Sequence, residues 1–346
     1  MTDPIVTGGA SVQAPVDAEP RSARLAYRDR LVALLPDHPR LICLDTDTGL
    51  FSGVEFGPAV HRYVNLGIAE HNLMVMAAGL AASGFTPFVN TMATFAATRT
   101  AEAIKIDIAY NALPVRIVAT HGGLSAGRLG PTHHALEDIA LMRVLPNMTV
   151  TVPADAAATE AAIEQAVGLP GPLYLRLGRK PTPALPPTAQ PPRIGVAQVL
   201  RTGGDVLLVC CGPHPVLASL AAADALAGDG TSAGVLNMHT VKPLDVAQLC
   251  AHAAGASLVV TVEEHWRSGG LGGAVAESLA EHMPTRLLRI GVDDAFVTLV
   301  GDHDALTAHH GITAEAIVTR IHRALCRGSG NRTPRTASSG PRGKEA

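Results

Sequence analysis

Aromatic residues make up only 3% of the 346 positions, and tryptophan occurs once, at Trp266. That scarcity excludes a stacking platform for single-stranded nucleic acid. Charge is sparse as well, at 16% of residues, with Lys+Arg 27 against Asp+Glu 30 and a formal net charge of -3. No basic footprint for a phosphate backbone exists, so nucleic acid is not an expected partner. The modest basic character sits in the last residues, where Arg332, Arg335, Arg342 and Lys344 are set against Glu345. No apolar run approaches the ~20 residues of a membrane-spanning helix, so no membrane partner is expected. The five cysteines, Cys43, Cys210, Cys211, Cys250 and Cys326, include no Cys-x-x-Cys pair and are odd in number. With no charged-then-apolar leader after Met1, the chain reads as a soluble cytoplasmic protein with small buried thiols.

Hydrophobic residues, in contrast, reach 47%. A chain of this length and apolar content folds, and about 150 residues per domain suggests two domains. Residues 1–20 and 328–346, rich in Gly, Pro and small polar residues, are expected to be disordered. Six prolines lie among the twelve residues Pro181–Pro192. They cannot sustain a helix or a central strand, so 181–195 is read as a semi-rigid linker between domains at 21–180 and 196–327.

Both halves alternate short apolar runs with helix-length amphipathic stretches. The runs are 40–44, 87–89, 115–119, 148–152 and 173–177, then 206–210, 233–237, 258–262 and 286–290. This pattern predicts two α/β domains, each with a mainly parallel sheet flanked by helices. Chemistry in such sheets gathers beyond the carboxyl ends of the strands. Asp45, Asp47, Asn90, Thr91, His121, Asp155 and Arg179 would therefore share one edge of the first sheet. Glu263, Glu264 and His265 end a run in the second.

Several motifs invite a chemical reading. Glu70 opens a predicted helix over 69–83 whose apolar stripe is 73, 76, 77, 80 and 81. A carboxylate on that face would be partly desolvated and suited to donating a proton, or would simply complement the helix dipole. Gly123-Leu-Ser-Ala-Gly127 fits a hydrolase nucleophile elbow, with Ser125 as nucleophile and a base such as His265. Pro131, however, would break the helix that the motif requires. His133 and His134 are adjacent, so their side chains diverge, and no further ligands at zinc spacing accompany them. Ser268-Gly-Gly-Leu-Gly-Gly273 misses the dinucleotide-binding register, and Gly228-Asp-Gly230 reads as a surface turn.

Taken together, the segments Val64-Asn-Leu-Gly-Ile-Ala-Glu-His-Asn72, Ala119-Thr-His-Gly-Gly123, Gly130-Pro-Thr-His133 and Leu136-Glu-Asp-Ile-Ala-Leu-Met142 resemble transketolase. So do Val152-Pro-Ala-Asp155, Asn237-Met-His-Thr-Val-Lys-Pro-Leu244 and Thr261-Val-Glu-Glu-His265. The resemblance runs from about Arg24 to Leu325 and covers only the pyrimidine-binding and carboxy-terminal domains of that family. It implies the carboxy-terminal subunit of a split transketolase, which moves a two-carbon ketol unit from a ketose phosphate to an aldehyde. The cofactor implied is thiamine diphosphate with Mg2+. The metal ligands would come from an amino-terminal partner subunit that carries the diphosphate-binding domain, in an α2β2 heterotetramer.

Position by position, the resemblance makes Glu70 the catalytic glutamate that hydrogen-bonds the cofactor's aminopyrimidine. Phe95 matches a stacking aromatic, Met92 stands where a second one is usual, and Asp47 lies near the thiazolium ring. His121 and Arg179 match holders of the substrate phosphate, and His133 a histidine that contacts substrate hydroxyls. Where the family reads Gly-Glu-Asp-Gly-Pro-Thr-His, this chain has Arg128 and Leu129 before Gly130. Leu129 cannot bond the sugar hydroxyl that the aspartate would select, which points to a non-standard acceptor, and Arg128 is positioned to meet an additional anion. The alternatives are a subunit similar to deoxyxylulose-phosphate synthase or to a 2-oxo-acid decarboxylase, or a non-catalytic scaffold.

Overall fold

The apolar runs become strands and the stretches between them helices, in a computed structural model that describes residues 19–188 and 191–329. The expected disordered segments 1–20 and 328–346 lie outside the described residues except at their inner edges, where the last helix continues to Ser329. In the first half the strands are β1 (Leu41–Asp45), β2 (Tyr63–Asn65), β3 (Thr86–Met92), β4 (Arg116–Thr120), β5 (Thr149–Thr151) and β6 (Leu173–Arg176). Between and around them run α1 (Ala23–Leu34), α2 (Glu70–Ala82), α3 (Ala93–Thr98), α4 (Asp138–Val144) and α5 (Ala156–Gly168). The second half holds β7 (Gln198–Arg201), β8 (Val206–Cys210), α6 (Pro213–Gly228), β9 (Ala233–Asn237) and β10 (Thr240–Lys242). It continues through α7 (Val246–Ala253), β11 (Leu258–Trp266), α8 (Leu271–His282), β12 (Leu287–Val292), α9 (His303–His309) and α10 (Ala314–Ser329).

Strands β1 to β6 form a parallel sheet in the order β5-β6-β4-β3-β1-β2, and β10 joins its β5 edge antiparallel. The second sheet has the order β12-β11-β8-β9-β7, parallel except for β7. Strand β10 therefore belongs by sequence to the second half and by hydrogen bonding to the first. Only three residues long, it gives no periodic signal; Val152 N–H donates to His239 O (2.7 Å) just before it. The proline-rich segment is likewise fastened, because Pro181–Thr182 pairs antiparallel with Arg21–Ser22.

One large apolar cluster joins Leu44, Val89 and Ile117 of the first half to Leu207, Val259 and Leu271 of the second. Each such side chain contributes about 1.5–3 kcal/mol of burial. Helix α2 buries Leu73, Met74, Ala77, Ala78 and Ala81, while Met76 is exposed. The buried face is thus rotated from the expected stripe towards the alanines, whose small side chains allow close approach to the sheet. Helix α2 stops where Gly84 turns with φ +92.

Candidate active site

Because β1 to β6 run parallel, their carboxyl ends open onto one edge. Asp47, His121 and Arg179 follow the ends of β1, β4 and β6, Met92 is the last residue of β3, and Glu70 begins α2 beyond β2. The predicted clustering on one edge is what the strand directions produce.

Glu70 is 6% exposed, and both its carboxylate oxygens lie 3.2 Å from Nη1 of Arg99. The guanidinium of Arg99 also sits 4.0 Å from the Phe95 ring centroid, a cation–π contact. Phe95 in turn meets His133 edge-on, with centroids 5.2 Å apart. His133 Nδ1 is 2.8 Å from the Thr132 hydroxyl. Glu70 and Phe95 therefore both meet Arg99, which the sequence reading overlooked, and His133 joins them through Phe95. Glu70 is buried, and a guanidinium partners its carboxylate. The signal was available, since Arg99 follows Phe95 by four residues on one helical face.

Asp47 is exposed, with φ +60, and its Oδ1 accepts from Asn65 Nδ2 at 3.5 Å. Its loop is pinned by buried Asp45, whose Oδ1 accepts from Thr46 N (2.9 Å), Thr48 Oγ1 (3.0 Å) and Asn90 Nδ2 (2.7 Å). Tyr63 donates to Asp45 Oδ2 at 3.2 Å. Asp45 and Asn90 thus hold the site's frame, and only Asp47 faces outward. Met92 is half-buried at the end of β3.

His121 also adopts left-handed backbone, φ +60, and is 4% exposed. Residues held in that region cost about 1–3 kcal/mol each and concentrate at functional sites. Burial pushes the imidazole down to about 3, with Arg24, Arg179 and His133 adding to the effect. Nδ1 of His121 is 3.0 Å from the Thr120 hydroxyl. Arg24 comes from α1, roughly a hundred residues away in sequence, so no local motif could reveal it. Cations gathered without a carboxylate among the groups acting on His121 suit an anionic ligand.

The loop between β4 and α4 is tied from behind. Asp138 accepts from Tyr174 Oη (2.8 Å) and Arg176 Nε (2.9 Å), and Arg176 Nη2 donates to Ala135 O (2.7 Å) and Glu264 O (2.9 Å). A Cβ on Gly122 would come within 2.6 Å of Arg176 Cγ, and one on Gly123 within 2.4 Å of Glu264 Oε1. Those contacts give the Gly-Gly pair a packing reason. Arg128 is bidentate to Asp302, at 3.2 Å for each contact, so it faces the second half of the chain. Leu129 is 42% exposed beside it.

The hydrolase arrangement does not form. Ser125 Oγ donates to Gly122 O at 2.6 Å, and Gly127–Leu129 make a single 3-10 turn where a helix is required. His265 is fully buried, with Nδ1 2.6 Å from Trp266 O and Nε2 accepting from Ala140 N at 3.3 Å. Glu263 caps α8 by accepting from Leu271 N (2.7 Å) and Gly272 N (2.9 Å). Asp155 caps α5 through Ala158 N (2.7 Å). These candidates hold structure.

Residues 19–183 match the transketolase pyrimidine-binding domain, and residues 195–317 the transketolase carboxy-terminal domain. A 6-deoxy-6-sulfo-D-fructose transketolase subunit from Clostridium sp. (strain MSTE9) is 38% identical over 309 residues, covering 89% of this chain and 95% of that protein. An apulose-4-phosphate transketolase subunit from Phocaeicola vulgatus is 34% identical, covering 86% of this chain and 95% of its own length. Among solved structures, a split-gene transketolase described as an inactive beta4 tetramer superposes with TM-score 0.81 at 41% identity. That match covers 88% of this chain and 98% of the other.

Proposed function

This chain belongs to the transketolase family, and from that premise we propose that it is the carboxy-terminal subunit of a two-component transketolase with a non-standard sugar substrate. Family membership implies thiamine diphosphate. A buried carboxylate at a helix start, with an aromatic ring linked to it through Arg99, fits an aminopyrimidine ring. When bound, that cofactor supplies the carbanion chemistry of ketol transfer. Glu70 would hold the proton shared with the ring nitrogen, Phe95 would offer its face, and Met92 and Asp47 would line the remaining walls. Arg99 must then leave the Phe95 face or stay on the edge shared with Glu70.

His121 and Arg179, joined by Arg24, would bind the substrate's terminal anion, and His133 would contact its hydroxyls. The observation that carries the reading is this pairing of a Glu70–Phe95–His133 group with a cationic group on one sheet edge. Apolar Leu129 at the rim, in place of a hydroxyl-bonding carboxylate, supports an acceptor that lacks the usual hydroxyl. Relatives named for a sulfosugar and for apulose 4-phosphate support a phosphorylated or similarly anionic sugar outside the common pentoses. Arg128, engaged by Asp302, would act by fixing the loop.

In this reading an amino-terminal subunit supplies the diphosphate-binding domain and the Mg2+ ligands, in an α2β2 assembly within the cytoplasm. Among the described residues no helix is long and apolar enough to cross a membrane. The test is to purify both chains together, titrate thiamine diphosphate and Mg2+, and assay ketol transfer against a panel of aldehydes. Carbon dioxide release from pyruvate would favour the synthase or decarboxylase alternative. Unchanged activity on Glu70→Ala would favour the scaffold.

A further inference from the structure

Three ligand-type side chains converge behind the β4–α4 loop, on elements that sequence places far apart. His214 lies in the first turn of α6, Glu264 within β11, and His303 at the start of α9. Each offers a ligand atom, and the three atoms lie within 4.8 Å of one another. His303 Nε2 is 2.7 Å from Glu264 Oε1, and the rings of His214 and His303 have centroids 3.9 Å apart. Glu264 and His303 are 6% and 3% exposed. A cavity of ≈ 20 Å³ adjoins them, bordered by Ser125, Arg176 and Cys211. That volume admits one water or ion.

We propose that His214, Glu264 and His303 form a zinc site that braces the active-site loop from the second half of the chain. Two imidazoles and one carboxylate are a zinc donor set, with a water in the fourth position, whereas Mg2+ demands oxygen ligands. Tetrahedral zinc at bond lengths of about 2.0–2.2 Å sets neighbouring ligand atoms about 3.3 Å apart. The His303–Glu264 contact must open by about 0.6 Å, and the widest pair must close by up to about 1.5 Å, both within side-chain adjustment.

The Glu264 carboxylate is buried, and Arg176, which borders the cavity with Arg179 and Lys180, is directed elsewhere, donating to Asp138 and to the backbone carbonyls of Ala135 and Glu264. His303 Nδ1 is buried without a hydrogen-bond partner. Asp304, 3.4 Å from His214 Nε2, is largely exposed and also lies 3.5 Å from Lys180, so it is a weak competitor. Glu264 Oε1 additionally accepts from Leu124 N at 2.5 Å, which links the site to the loop bearing His121 and His133.

The full-length chain, freed of any affinity tag and stripped with EDTA, is titrated with zinc and separately with Co2+. About one zinc per chain, tetrahedral Co2+ absorption bands and a zinc-dependent rise in Tm are expected. His214→Asn and His303→Asn should each weaken zinc binding by more than the ~10–100-fold typical of changes to supporting residues. The double variant His309→Asn/His310→Asn, which removes an outlying imidazole pair, should bind as the parent does. Absence of stoichiometric zinc with no shift in Tm overturns the proposal, as does binding that survives His214→Asn or is lost with the His309/His310 pair. Should His303→Asn fail to fold, His214→Asn decides the matter, because the His214 side chain is 21% exposed and its loss leaves the buried pair intact.

Discussion

Nη1 of Arg99 is equidistant, at 3.2 Å, from the two carboxylate oxygens of Glu70. That symmetry makes Arg99 a positioning group for the residue on which the proposed chemistry rests. Arg99 is itself half-exposed and lies over Phe95, so it can move when a ring is stacked there.

Glu70→Gln keeps the shape and removes the proton-holding carboxyl. The expected outcome is a fall in kcat of about 10²–10⁴-fold, measured with the partner chain and thiamine diphosphate present. Arg99→Met should cost less than about 1 kcal/mol of stability, because the pair is partly solvent-screened. It should nevertheless weaken the saturation of activity by cofactor. Full activity in Glu70→Gln would remove the carboxyl from the mechanism.

The Asp138–Arg176 pair is buried on both sides, at 0% and 5% side-chain exposure. Removing one partner strands the other charge in the interior. Asp138→Asn or Arg176→Met is expected to cost about 3–5 kcal/mol in urea unfolding, against about 1 kcal/mol for Tyr174→Phe, which removes a single hydrogen bond to Asp138.

Gly123 combines φ +64 with a Cβ position 2.4 Å from Glu264 Oε1. Gly123→Ala therefore faces both backbone strain and a clash with a fixed carboxylate. A loss of about 1–3 kcal/mol is expected. Activity should fall further than stability, since the displaced loop carries His121 and His133. Gly79 meets nothing within 4 Å, so Gly79→Ala serves as the control that stays folded and active.

Acid should destabilise this protein. Burial holds His121 at about 3 and His239 and His265 at about 4, all below the ordinary 6.5. The unfolded chain therefore takes up protons first as the pH drops, and stability falls between about pH 6.5 and 4. Glu264, held at about 2 against 4.5, adds a loss that begins near pH 4.5. His121→Asn suits the left-handed backbone and should flatten the slope of stability against pH by about one proton in this window. An unchanged slope would mean that His121 titrates normally.

Acceptor selection should respond to Leu129. Leu129→Asp restores a hydrogen-bonding carboxylate at a half-exposed rim position. The ratio of kcat/KM for hydroxylated over deoxygenated acceptors should rise about tenfold, the worth of one hydrogen bond to a charged group. A ratio that does not move would place acceptor choice elsewhere.

Much of this was legible from residue order. Runs such as Val115–Ala119 and Val206–Cys210 are strands because β-branched and aliphatic side chains fill both faces of a covered parallel sheet, within a residue of the expected limits. The segments β2, β7 and β10 were not legible, being three or four residues long and partly polar. Arg24 and Arg99 escaped for a different reason: a lone arginine looks like a solvated charge until its neighbours are known.

The sequence by itself determined the two α/β halves, the family and the edge of the sheet on which the candidate residues lie. Those follow from local hydrophobic pattern, from motif order and from the rule that parallel strands share one functional end. Only the tertiary structure decided which side chains meet there. It set Arg99 against Glu70, brought Arg24 beside His121, turned Arg128 away to Asp302 and gathered His214, Glu264 and His303 behind the loop. Charge pairing across a hundred residues depends on how sheets and helices stack, and no one-dimensional spacing encodes that stacking.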